Sequence, residues 1–151
     1  MNEAILIIEG NREMRENTAE LLELKNYQVL TAEDGSTGFE MAHQYHPNLI
    51  ICDLTIPDTD GYTFLRLAKE DAAICSIPVI FFLDSEPCPN VNNVWMNIAK
   101  GYVRKPFTAQ DLFAGVASGL SVKTGPVDMR ITHAPDDHFP KMKEVHYSST
   151  I

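Results

Sequence analysis

Apolar residues in this chain follow two alternating rhythms: short unbroken runs, and longer stretches spaced at three and four residues. Ala4 to Ile8, Gln28 to Ala32, Asn48 to Cys52, Ile77 to Leu83 and Gly101 to Arg104 are of the first kind, and their branched and aromatic content predicts five strands. Helical spacing fills the gaps. Arg12 to Lys25 carries Met14, Ala19, Leu21, Leu22 and Leu24 as a buried stripe, and Asn11 stands where a cap belongs. Asp34-Gly35-Ser36 opens a second helix containing Phe39, Met41 and Ala42, which Pro47 stops. Asp60-Gly61 leads a third with Phe64, Leu65, Leu67 and Ala68, and Thr108 caps the last, with Leu112, Phe113, Val116 and Leu120. Strands that read as near-continuous apolar runs are covered on both faces. Their strict alternation with helices predicts an α/β fold: a doubly wound, five-stranded parallel sheet of order 2-1-3-4-5 with five helices.

The fourth helix, expected over about Val91 to Ala99, is crowded by Pro87, Pro89, Asn90, Asn92, Asn93 and Asn97, so it should be short or irregular. Trp95 and Met96 lie in it, as core or as partner surface. After Leu120 the periodicity ends, and Gly125-Pro126, Pro135 and Pro140 interrupt the remaining residues. One folded domain over residues 1–120 and a flexible or extended tail over 121–151 are therefore expected.

Charge narrows the function classes. The chain carries a formal net charge of -9, and all of it belongs to the first 120 residues, where eight basic side chains face seventeen acidic ones. Such a field repels phosphate backbones and anionic lipid, so neither nucleic acid nor a membrane is an expected partner. The first apolar run ends at Glu9 without a basic leader, and the three cysteines, Cys52, Cys75 and Cys88, form no CxxC pair. Both features suit the cytoplasm.

In a doubly wound sheet, ligands bind at the carboxyl ends of the strands, beside the reversal of strand order. Here that rim receives Glu9 from the first strand, Asp53 from the third and Lys105-Pro106 after the fifth. A carboxylate can attack phosphorus and form an acyl phosphate when a fixed ammonium or a cation offsets the charge on the transferring oxygens. Asp53 and Lys105 supply that pair. Glu9 has two readings, as a metal ligand or as an ion-pair partner of Lys105. His43 and His46 stand three apart near a helix end, but no third ligand is evident and no metal is assigned to them.

The stretch Leu49-Ile50-Ile51-Cys52-Asp53-Leu54-Thr55-Ile56-Pro57-Asp58-Thr59-Asp60-Gly61 resembles the phosphoacceptor strand and loop of two-component response regulator receiver domains, which are CheY-like and flavodoxin-like in fold. Lys105-Pro106-Phe107 resembles that family's lysine and following proline, usually a cis peptide there. Tyr102 falls at its switch aromatic, and Ile5 to Glu9 at its first strand and acidic cluster. The resemblance spans residues 4 to about 120. It implies Asp53 as phosphoacceptor, Lys105 as its catalytic cation, and Mg²⁺ held by Glu9, Asp53 and the backbone carbonyl of Thr55. It also implies that position 83, Tyr102 and Pro106 take part in conformational signalling. Two positions depart from the pattern. Gly10 replaces the second acidic residue, which weakens the metal site or abolishes it. Leu83 replaces the hydroxyl residue that hydrogen-bonds the phosphoryl group, and leucine has no donor.

Two functions are expected on these grounds. One is a phosphorelay module that takes a phosphoryl group from a histidine kinase or phosphotransfer protein and signals to a protein partner through residues 84–120. The other is a pseudo-receiver that binds its partner without phosphorylation. Neither is an enzyme in the turnover sense, since Thr55 stands where an aspartate-dependent phosphatase carries its second aspartate. Monomer and dimer both remain open.

Overall fold

Side-chain alternation in the central strands sorts the apolar residues onto two faces, and each face is covered by its own pair of helices. This is seen in a computed structural model that describes residues 2–84 and 98–121. Strands β1 (Ala4–Ile8), β2 (Gln28–Ala32) and β3 (Leu49–Asp53) are followed by a two-stranded ribbon, β4 (Thr55–Ile56) and β5 (Thr59–Asp60), and then by β6 (Val79–Leu83) and β7 (Tyr102–Arg104). The main sheet is parallel throughout, in the order β2-β1-β3-β6-β7. With the ribbon set aside, that is the order expected from the sequence.

Four helices are described: α1 (Arg12–Leu24), α2 (Gly35–Tyr45), α3 (Gly61–Lys69) and α4 (Ala109–Ser121). Leu6, Ile8, Ile50, Cys52, Phe81 and Leu83 pack with Phe64, Leu65 and Ala42 on the α2 and α3 face. Ile5, Ile7, Leu49, Ile51, Ile80 and Phe82 pack with Leu22, Leu112 and Val116 on the α1 and α4 face. Burying each such side chain stabilises the fold by roughly 1.5–3 kcal/mol before entropy is counted. The three central strands therefore define the core.

Local signals set the helix starts. Asn11, Asp34 and Asp60 accept from the amides of Met14, Thr37 and Thr63, each at 2.8 Å. Thr108 and Asp111 cap α4 reciprocally, Thr108 Oγ1 accepting from Asp111 N at 3.0 Å and Asp111 Oδ2 from Thr108 N at 3.1 Å. α2 stops at His46, whose φ of 47° is left-handed. The fourth strand begins at Val79 rather than Ile77 because Pro78 has no amide to donate, although its carbonyl still accepts from Ile50 N.

Two residues expected on buried stripes are exposed. Leu24 is 78% exposed and Leu67 42%. At 100° per residue each lies about 200° around its helix from a fully buried leucine, Leu22 and Leu65 respectively. The helix expected over Val91 to Ala99, with Trp95 and Met96, lies outside the described residues apart from its last two positions, and so does the tail from residue 122.

Candidate functional site

Strand register alone brings the rim together. Ile8 pairs with Cys52 and Asp53 with Phe82, so Glu9, one step past its strand, lies beside Asp53, while Phe82 faces Val103 on β7. Lys105 follows β7 directly, its amide donating to Leu83 O at 2.8 Å, and the Lys105–Pro106 peptide is cis. Lys105 Nζ stands 3.0 Å from Asp53 Oδ1 and 3.2 Å from Glu9 Oε1. Both carboxylates are buried, Glu9 2% and Asp53 5% exposed. The ammonium also lies over the Phe82 ring at 5.7 Å, and Phe82 stacks on Phe107 at 5.1 Å. Two anions and an aromatic face thus hold one cation in place.

The charges are unevenly satisfied. Glu9 Oε2 accepts from Asn11 N at 3.0 Å, so both of its oxygens are engaged. Among the described residues Asp53 Oδ2, on a buried side chain, has no hydrogen-bond donor. Burial first, then the charge of Glu9, raises Asp53 to about 6, and the hydrogen bond and charge of Lys105 only partly offset them. For Lys105, burial works against the charged form, but the bond and charge of Asp53 and the contribution of Glu9 outweigh it and hold the ammonium above its ordinary value. The site is an ion cluster in which two carboxylates share one ammonium.

That donor set bears on a divalent cation. Hard oxygens from Asp53 and Glu9, with the carbonyl of the exposed residue Thr55 two positions after Asp53, suit an ion such as Mg²⁺ that keeps most of its waters. They do not make a protein-only cage, since no group of three or more His, Cys, Asp or Glu side chains able to hold a metal occurs among the described residues. Position 10 explains the shortage. Glycine supplies no carboxylate there, and a Cβ on Gly10 would meet Pro57 Cδ at 3.0 Å and Cγ at 3.1 Å, so a side chain would require the proline ring to give by a few tenths of an ångström. The residues fit a divalent ion that keeps most of its waters.

The other candidates lie around this cluster or away from it. Leu83, 1% exposed, falls on the face opposite Phe82 and packs in the core beside Phe81, so β6 offers the rim no hydroxyl. Asp84 is exposed, and its charge adds to the upward pressure on Asp53. Tyr102 is 51% exposed and lines an open depression of about 460 Å³ with Val103, Arg104, Asp111, Ala114 and Gly115, away from the carboxylates. His43 bonds within the fold, Nδ1 with Phe39 O at 3.0 Å and Nε2 with Asp71 Oδ2 at 2.9 Å, while His46 is the exposed end of α2.

Sequence reasoning missed two supports of the rim. Arg15 Nη1 donates to Glu9 O at 2.8 Å and Gly10 O at 3.4 Å, fixing the loop after β1. Asp58, at the tip of the ribbon, accepts from Gly35 N at 2.7 Å and Ser36 N at 2.9 Å, tying the loop after Asp53 to α2. Pro57-Asp58 was a legible turn signal. Its partner, more than twenty residues away, was not.

A parallel sheet of this order, with an aspartate and a lysine converging at its carboxyl ends, is the flavodoxin-like architecture of CheY-like proteins. The chain matches the response regulator receiver domain over residues 5–117 and belongs to that family. It is 32% identical over 120 residues to hybrid signal transduction histidine kinase D of Dictyostelium discoideum, covering 79% of this chain but 8% of that protein. It is 31% identical over 120 residues to protein PilH of Pseudomonas aeruginosa, covering 78% of this chain and 97% of PilH. Among solved structures it resembles the receiver domain of the sensor histidine kinase PA1611 from Pseudomonas aeruginosa, with a TM-score of 0.73 and 21% identity over 80% of this chain and 99% of that one. No helix among the described residues is long and apolar enough to cross a membrane.

Proposed function

We propose that this receiver domain accepts a phosphoryl group on Asp53 from a phosphohistidine donor and passes the signal to a protein partner. The observation that carries the reading is the 3.0 Å contact between the buried Asp53 carboxylate and the Lys105 ammonium at the strand ends. In the transfer an Asp53 oxygen forms a bond to phosphorus, the phosphorus–nitrogen bond to the donor imidazole breaks, and the imidazole leaves with the electron pair. Among the described residues no donor has to be displaced from Asp53 Oδ2, and the Lys105 charge lies where a phosphoryl oxygen gathers negative charge. A divalent cation held by Asp53, Glu9 and the Thr55 carbonyl would add charge neutralisation. The PA1611 receiver was solved with a magnesium ion coordinated in its active site cleft, which supports that assignment.

The donor class is a histidine kinase or phosphotransfer protein, in keeping with relatives that include a hybrid histidine kinase. Output through residues 84–120 is supported by the half-exposed Tyr102 ring beside Arg104, residue types that anchor protein interfaces. The chain acts by a shift between conformations rather than by turnover.

The test is intact mass after incubation with Mg²⁺ and a small phosphodonor. Wild type should gain one phosphoryl group, and Asp53→Asn none. An unmodified wild type under conditions that label an ordinary receiver domain would overturn the reading.

A second reading is favoured by Gly10 and Leu83, which remove a metal ligand and the hydroxyl donor: a receiver that binds its partner without phosphorylation. It predicts that Asp53→Asn leaves partner binding unchanged.

A further inference from the structure

The loop after Asp53 is held by contacts in which neither Asp53 nor Lys105 takes part. Residues 55–60 form a ribbon with two anchors. At its base Asp60 caps α3, accepting from Thr63 N at 2.8 Å, and Gly61 N donates to Leu54 O at 2.8 Å. At its tip the Asp58 carboxylate takes the first two amides of α2, Gly35 N at 2.7 Å and Ser36 N at 2.9 Å. The helix does not need Asp58 as its cap, because Asp34 already caps it on Thr37 N. Asp58 therefore adds a clamp between two elements rather than a helix start. A fit of surfaces backs the clamp: a Cβ on Gly35 would meet Thr59 Cγ2 at 2.8 Å, and Asp58 Oδ1 and Ile56 Cδ1 at 3.2 Å, so the ribbon rests on α2 with no space for a side chain. Pro57, next to Asp58, also comes close to Gly10, where a Cβ would meet its Cδ at 3.0 Å.

We infer that Asp58 is a positioning residue for phosphoryl transfer: by seating the ribbon on α2 it fixes the chain that follows Asp53, and with it the rim presented to the donor. The inference rests on the reading of Asp53 as phosphoacceptor. A nucleophile tethered to a free loop spends less time in the attacking geometry, which lowers the maximal rate and leaves donor affinity unchanged. Asp58 touches neither Asp53 nor Lys105, so its effect has to travel through the ribbon.

The experiment compares wild type, Asp58→Ala, Asp58→Asn and Gly35→Ala as full chains, labelled by acetyl phosphate at varied concentration with saturating Mg²⁺. Rates are counted per folded molecule from circular dichroism. In the labelling step the Asp53 oxygen–phosphorus bond forms as the donor's phosphorus–oxygen bond breaks and acetate leaves. Asp58→Ala should lower the maximal rate at least about tenfold with the half-saturating donor concentration unchanged. Asp58→Asn keeps one acceptor oxygen and should fall between it and wild type. Gly35→Ala, which lifts the ribbon from the other side, should slow labelling in the same way and decides the matter if Asp58→Ala does not fold. A labelled wild type with Asp58 and Gly35 variants of equal maximal rate would overturn the inference alone. A wild type that is never labelled would overturn the phosphoacceptor reading and the inference with it.

Discussion

The central strands and their carboxyl rim are a few residues apart and are built on opposite terms. In β1, β3 and β6 nearly every side chain is apolar and fully buried, so local pattern, burial and pairing all favour the same structure. One step further on, Glu9 and Asp53 are buried as well, yet they are anions that share a single ammonium. The core gains from the surface it buries. The rim sacrifices stability to hold two buried carboxylates on one ammonium, and the sheet beneath it supplies the surplus that keeps it folded.

The contrast is tested most severely by removing the shared cation. Lys105→Met should cost about 3–5 kcal/mol at pH 8, because it leaves two buried carboxylates without the cation they share. The cost should shrink at pH 5, where Asp53 is largely protonated. Urea unfolding at the two pH values checks both. Ile51→Ala, a cavity in the middle of β3, should cost about 2–5 kcal/mol with no such pH dependence.

Asp53→Asn should have the opposite sign. The folded carboxyl titrates at about 6 against an ordinary 3.8, so the folded state binds the proton more tightly. Stability from this group is full below the ordinary value and is lost as pH rises through about 6. At about 1.4 kcal/mol per pKa unit the ionised group destabilises the fold by up to about 3 kcal/mol. The variant should therefore be more stable than wild type at pH 8 and similar to it at pH 4, as thermal unfolding would show.

The smallest effect concerns a charge outside the rim. Both ring nitrogens of His43 face acceptors, Phe39 O and Asp71 Oδ2, which favours the doubly protonated ring. Its pKa is raised, chiefly by the Phe39 carbonyl, against a lesser effect of burial, with Asp71 contributing further. The contribution is complete below 6.5 and is lost as pH rises through the raised value. Because the pair is partly exposed, solvent screens it. His43→Gln should lower the urea midpoint slightly at pH 6 and less at pH 9.

Legibility in the sequence divides along the same line. Four strands fell where the apolar runs lie to within one residue, and Asn11, Asp34, Asp60 and Thr108 marked the helix starts, because these are short-range effects. Composition without phase misled at Leu24 and Leu67, where a leucine in a helical run faces outward. Strand order brings Asp53 and Lys105 to one rim, so their convergence could be read from topology. The braces could not. Asp58 on α2 and Phe82 beneath Lys105 depend on packing between elements distant in sequence, and Arg15, though only five and six residues from the carbonyls of Gly10 and Glu9 that it holds, follows no local motif.

The sharpest measurement is a carbon-13 NMR titration of the Asp53 side-chain carboxyl in the intact chain, repeated with Lys105→Met. A buried, under-partnered carboxylate should titrate near 6 and move higher when the ammonium is removed. A midpoint near 3.8 that ignores the lysine substitution would contradict the ion cluster at the rim.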